Sequence, residues 1–574
     1  MNVKKIVLPM AFAALGAALL LSGCGGKGKA DAADQRDNIN LSGAMPIIKD
    51  PSRFPKLKMA VVIPADRIVP TGQLKMIQKL KDITGVEFEW QEIPTDGSGE
   101  KLNLMLASGQ TLPDAFWNNI SGVMIAQYMD QDVFLPTEGL IDKYMPRLKA
   151  VYEQHPEYKA AATAPDGHMY GFPYIEEMKG LVLTPGPFII NTDWLAKTGK
   201  SMPKTVDEFT AVLRAFRDAG DLNGNGKDDE IPYALDFTCH DMFGSYNTFH
   251  QFTGAFGQAD SYCSGYSIAD HLRVIDDTVV FTARDTAYRD TAKYFNMLKS
   301  EKLLDVDSFS PGPSAGQPLF VNKIKGSDAV IGVMGLWAPA NEITDVKVRA
   351  QYKAIPRMTG SRGKTGYALN FSEMQDTSMV TITRDCKYPE VIAAFVDQCF
   401  EPEISITLNW GAEGYIYEKG ADGRLHFRLD ENNNIALIEP YKTFGEMRSN
   451  TTPARGSMAV LNEYYDTVTD YTWDAIDLLE GQIANGKYDI LAEYTPVPKM
   501  LLTQAEQTRI SQIQPTISDI VQRYTIQWVL DGNADATWDA YLAELKAAGV
   551  DELLQTFQGA YNRFVAAKKS TTSP

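Results

Sequence analysis

The chain has 574 residues, 44% of them hydrophobic, and a formal charge of −18. That is too long for one ordinary domain and apolar enough for two cores. The acidity speaks against a nucleic-acid partner, which needs a basic face.

The opening MNVKKIVLPMAFAALGAALLLSGC carries Lys4 and Lys5, then an uncharged apolar run over 6–21, then small residues before Cys24. This is the order of a secretory signal, and the run is short for a membrane span. Leu21-Ser22-Gly23-Cys24 resembles the bacterial lipobox, in which the cysteine is lipidated and becomes the mature N-terminus. A signal peptide over 1–23 and a palmitate-type lipid on Cys24 are expected, holding the protein on the extracellular face of the cell membrane. Losing the leader removes two lysines and makes the mature chain more acidic still. Residues 24–55, small and polar at first, read as a flexible tether. The other cysteines are Cys239, Cys263, Cys386 and Cys399, with no CxxC pair to suggest zinc. A disulfide is permitted outside the cell; Cys239 with Cys263 is the favoured pair, and buried free thiols are the alternative.

KLKMAVVIP at 56–64 reads as a strand stopped by proline. Residues 73–84 have helical periodicity and end before Gly85. VEFEWQEIP alternates as a second strand, a helix follows to Gly109, and DAFW enters a third strand. This succession predicts an α/β lobe with a parallel sheet. The stretch around YGFPY, 170–174, reads as a crossing between lobes. A helix then follows Thr205, an N-cap with Glu208 as its capping-box partner, and ends at Gly220. The α/β style returns over 281–410, and 458–564 reads as mostly amphipathic helix.

DLNGNGKDDEIP, 221–232, places carboxylates and amides at alternate positions with glycines between them. Calcium takes six to eight oxygens, and loops supply them in this way. The candidate ligands are Asp221, Asn223, Asn225, Lys227 through its carbonyl, Asp229 and Glu230. The first half fits the EF-hand pattern; the second departs from it, with Pro232 at the twelfth position and Glu230 as the substitute acid. Contiguous ligands leave little room for a substrate, so the ion is expected to be structural. A polar Asn-Gly turn without metal is the alternative.

The sequence is similar to the extracellular solute-binding proteins of ABC importers, in the sugar-binding branch. It resembles the large Gram-positive lipoproteins and the alginate-oligosaccharide-binding proteins most. NTDWLAKTGKSMPKTVDEFTAVLRAFRDAGDLNGNGKDDEIPY carries the resemblance most specifically; APDGHMYGFPY, LNWGAEGYIYE and GNADATWDAYLAELKAAGVDELLQTFQGAYNRF support it. Together these blocks span nearly the whole mature chain. The resemblance implies an α/β, two-lobe periplasmic-binding-protein-like clamp with a helical C-terminal region, closing by hinge bending on a ligand between the lobes. It implies calcium on the six loop positions, ABC permease subunits as partners, and a monomer. The expected division is 56–172 plus about 366–420 for lobe I, and 173–365 plus about 421–574 for lobe II.

A sugar site needs aromatic platforms and a polar rim. In open α/β sheets it lies beyond the carboxyl ends of strands. Trp117, Trp337, Trp410 and Tyr174 are the aromatic candidates, with Glu413 and Asn118 as polar partners; Trp194 reads as core. No HExxH, GxSxG or Walker loop marks an enzyme. The readings left open are an oligosaccharide receptor, a same-fold receptor for peptide or another small solute, and a ligand sensor for a histidine kinase.

Overall fold

The computed structural model describes residues 35–572 except 119, 240–243, 264–266, 313–316, 370–371, 432–434, 454–455, 470–473, 480 and 485–486. The leader, Cys24 and the first part of the tether lie outside the described residues. No described helix is long and apolar enough to cross a membrane.

The apolar run of the first strand, Leu57–Ile63, is buried on both faces, as a central parallel strand requires. It pairs in parallel with Phe88–Pro94 and with Ala115–Trp117. The helix between the first two, Lys75–Thr84, ends where Gly85 takes the left-handed conformation, φ 69°. Its stop is the one the periodicity predicts, and it starts two residues later than the expected 73, after a 3-10 turn at Thr71–Gln73. The full sheet has six strands, in the order Met458–Val460, Phe172–Glu176, Met374–Ile382, Ala115–Trp117, Leu57–Ile63, Phe88–Pro94. Met374–Ile382 runs antiparallel to both its neighbours. The second sheet has four strands, in the order Tyr352–Ala354, Phe188–Asn191, Ile331–Gly335, Ile231–Tyr233. Each sheet anchors a large apolar core of its own, the first reaching to Leu479 and the second collecting the helices Gln504–Asp531, Ala534–Ala547 and Val550–Thr572.

Two details differ from the expected division. Phe172–Glu176 belongs to the first sheet, so the chain crosses after Glu176 rather than within 170–174. Met458–Val460 also belongs there, paired in parallel with Phe172–Glu176, so the first lobe extends well beyond 420. Three residues pairing with a strand almost 300 positions away leave no periodic trace. Cys239 and Cys263 are both buried, in separate apolar clusters, and the favoured disulfide between them is not formed.

Candidate functional site

Helix Val206–Asp218 opens on Thr205, whose hydroxyl accepts the Glu208 amide at 3.1 Å. The Glu208 carboxylate takes the Lys204 amide, one residue before the cap, at 2.7 Å. The helix ends at Gly220, and the acidic loop begins. Asp221 lies at its centre: Oδ1 accepts the amides of Gly224 and Asn225 at 2.7 and 3.0 Å, and Oδ2 that of Gly226 at 2.9 Å. This wrap needs left-handed turns at Gly224 and Gly226, φ 80° and 81°, which glycine adopts without strain. The Asn223 and Asn225 side-chain oxygens accept the amides of Asn225 and Lys227, both at 2.9 Å. Glu230 Oε1 accepts the amides of Leu222 and Asn223 at 2.6 and 2.9 Å.

Glu230 Oε2 is buried with no hydrogen-bond partner. A buried carboxylate oxygen left unpaired is costly. Three of the loop's four carboxylates, Asp221, Asp229 and Glu230, one of them so placed, fit a divalent cation bound by oxygen. Asp328, outside the contiguous set, also reaches the loop, its Oδ2 accepting from the Asn225 side-chain Nδ2 at 3.4 Å.

The second candidate region gathers Trp337, Tyr174 and Trp410 at the first core. Trp337 follows Ile331–Gly335 of the second sheet, yet packs, partly buried, against the first core. Tyr174, half-buried on Phe172–Glu176, donates to Asn409 Oδ1 at 2.9 Å. Arg448 donates to the same oxygen at 2.7 Å. Asn409 donates in turn to Glu176, which also accepts from the Tyr465 hydroxyl at 2.8 Å. Trp410 is 5% exposed; its indole N–H donates to Tyr465 at 2.9 Å, and the Arg448 guanidinium lies 4.8 Å from its ring centroid. Tyr174 and Trp410 are thus joined in one network with Asn409, which shares the LNWGAEGYIYE block with Trp410, and with Arg448, Glu176 and Tyr465, which carry no motif or periodic signal.

The remaining candidates are placed differently. Trp117 is fully buried, edge-on to Trp90 at 6.0 Å and to Phe395 at 6.3 Å. The expected open platform is instead core, because the Phe395 helix and Gly456 close over the strand end. Asn118 is buried with φ 77°, and its side chain clasps the Val62 backbone, accepting at 3.0 Å and donating at 2.9 Å. It stitches two strands together. Glu413 is exposed on a turn beside Tyr417. Trp194 is core, as expected, 1% exposed. A cavity of about 230 Å³ lies between Ser372, Met374 and Gln375 on one side and Ile268, Lys499 and Phe557 on the other; none of the predicted residues lines it.

Burial pushes Glu176 up to about 8, against the Tyr465 and Met178 donors and the Arg448 charge. Glu373, beside it at the crossing and hemmed in by protein, is pushed up to about 7, with Glu177 and Glu157 adding to the shift. A carboxyl raised in the fold holds its proton more tightly there than in the unfolded chain. Its contribution is therefore fully present below the unfolded value of 4.5 and is lost as pH rises through 7–8. Raising pH from about 5 to about 8.5 is expected to lower stability, on the order of 4 kcal/mol from Glu176. Glu176→Gln should flatten that slope, as read by denaturant titrations across pH. An unchanged slope in the variant would assign the dependence to other groups.

Two sheets, each with an apolar core of its own and joined by several passages of the chain, define the two-lobe α/β fold of a solute-binding protein. The chain belongs to the bacterial extracellular solute-binding protein family, whose model matches residues 75–410. It is a binding protein and not an enzyme. It is 32% identical over 505 residues to the fructooligosaccharide ABC transporter substrate-binding protein FusA of Streptococcus pneumoniae serotype 4, covering 86% of this chain and 87% of that one. Structures of FusA with kestose, and of a FusA EF-hand mutant with fructo-nystose, superpose with TM-score 0.69 at 30% identity, over 89% of this chain and 100% of theirs. A human-milk-oligosaccharide-binding solute-binding protein from Bifidobacterium longum infantis shares the fold, with TM-score 0.72 at 20% identity over 89% of this chain and 99% of that one.

Proposed function

We propose that this chain is the lipid-anchored receptor of an ABC importer, capturing an oligosaccharide between its lobes and passing it to the permease. The observation that carries this reading is the relative at 32% identity over 86% of the chain, itself a fructooligosaccharide receptor. The strand-end chemistry agrees with it. Trp337 supplies an aromatic face from the second lobe; Tyr174 and Arg448 supply hydroxyl and guanidinium donors from the first. Stacking and water exclusion would give affinity, and the polar rim specificity. Calcium in the Asp221–Glu230 loop is structural in this reading, and the EF-hand variant made of FusA is in keeping with it. Cys24 is the lipid attachment site, and the protein acts as a monomer.

The test is thermal melting against fructooligosaccharides, other glycans and peptides. A ligand that binds only the folded state raises the melting temperature by mass action. A rise with a glycan is expected; a rise with peptides alone would keep the fold and overturn the ligand class. With the responding glycan, Trp337→Ala should weaken binding by roughly 1–3 kcal/mol if the indole stacks on a sugar face. Unchanged affinity by titration calorimetry would remove Trp337 from the site.

A further inference from the structure

His250, Asp260 and His271 come from three segments of the second lobe and meet in its interior. Their side chains are almost fully enclosed, with residue exposures of 2%, 0% and 5%. Among the described residues they are the one group of three metal-ligating side chains whose ligand atoms all lie within 4.8 Å of one another. The arrangement is directional. Asp260 Oδ1 is held by the Ser261 amide at 2.8 Å and by the Thr282 hydroxyl. Oδ2 faces both imidazoles, 2.7 Å from His250 Nδ1 and 3.0 Å from His271 Nδ1, and Oδ1 also lies 3.1 Å from His271 Nδ1. His250 is fixed by stacking on Tyr262 at 3.8 Å. His271 is held in the left-handed region, φ 63°, which a side-chain-bearing residue adopts at a cost. A cavity of about 60 Å³ opens beside the group, lined by His271, Tyr262, Asp270 and Asn247. Asn247 Oδ1 is buried there with no hydrogen-bond partner.

We infer that His250, Asp260 and His271 form a second metal site, for a first-row divalent transition metal, distinct from the oxygen-rich loop. Two neutral imidazoles and one carboxylate are the two-histidine, one-carboxylate donor set. Bonds of about 2.1 Å across the observed separations subtend roughly 80° and 90°, nearer octahedral than tetrahedral angles. The cavity gives room for water in the remaining positions, and Asn247 Oδ1 is placed to accept from one. Thr282 and the Ser261 amide are the outer contacts that aim the carboxylate. Hard calcium prefers all-oxygen ligands, so the two sites select different ions. The ion would tie its three segments to the stretch at Gly366–Ala368, because Ser261 pairs with Ala368 and the Gln251 carbonyl accepts the Gly366 amide at 2.6 Å.

The alternative is a hydrogen-bonded triad with no metal, in which both imidazoles donate to Asp260. Co²⁺ separates the two. The purified protein, held in excess calcium to saturate the loop, is titrated with Co²⁺ and followed by visible absorption and by metal content after desalting. One tightly held Co²⁺ per chain is expected, with weak d–d bands of a six-coordinate nitrogen–oxygen site and a raised melting temperature. His250→Gln and His271→Gln should each weaken Co²⁺ binding at least tenfold while retaining native circular dichroism and calcium response. No Co²⁺ uptake by the wild type overturns the site, and so does uptake unchanged in both variants. Removing the buried carboxylate puts folding at risk, so the decision rests on the wild type and the histidine variants.

Discussion

Trp117→Ala should cost about 3–5 kcal/mol of stability, the range for truncating a fully enclosed tryptophan. The ring is 0% exposed and packs edge-on against Trp90 and Phe395. A Cβ at Gly456 would come within 2.6 Å of it, so the Gly456 backbone lies directly on the indole. Alanine leaves a cavity that this close-packed surround cannot readily fill. Gly456→Ala tests the same contact from the other side and should cost about 1–3 kcal/mol by overpacking. Chemical denaturation of the first lobe reads both. If Trp117→Ala loses less than about 1 kcal/mol of stability but abolishes glycan binding, the ring is a ligand platform after all.

Removing calcium should produce an effect of similar size in the second lobe. An ion present at 100 to 1,000 times its dissociation constant stabilises the fold by about 2.7 to 4.1 kcal/mol. Chelation also leaves Asp221, Asp229 and Glu230 repelling one another, with Glu230 Oε2 buried and unpaired. The loop follows directly from helix Val206–Asp218, and Leu222 is buried in the second core, so loosening the loop should loosen that core. A calcium-selective chelator should therefore lower the melting temperature by several degrees, and restored calcium should reverse the change. Glu230→Gln should respond to the chelator much less. A wild-type melting temperature indifferent to both chelator and calcium would leave the loop a polar turn.

What the sequence makes legible is what is local. The glycine-punctuated loop, the Thr205 cap and the Gly85 stop each rest on contacts within a few residues. The apolar run at Leu57–Ile63 carries its own burial. Trp117 shows the limit. Its place at a strand end is readable, but whether that end opens to the cleft depends on Phe395 and Gly456, hundreds of positions away. Arg448 and Asn409 come together from the ends of two unrelated helices, and Met458–Val460 is too short to show a period. His250, Asp260 and His271 are likewise separated by ten or more positions, with no motif spacing to link them until the fold gathers them.

The central claim is that an oligosaccharide is captured between the lobes. The most direct test is small-angle scattering of the purified protein with and without kestose and longer fructooligosaccharides, alongside calorimetric titration of the same samples. One ligand per chain and a fall in radius of gyration at saturation are expected, as the lobes close. Binding without any change in dimensions would contradict capture by closure; compaction with a peptide but with no glycan would contradict the ligand class.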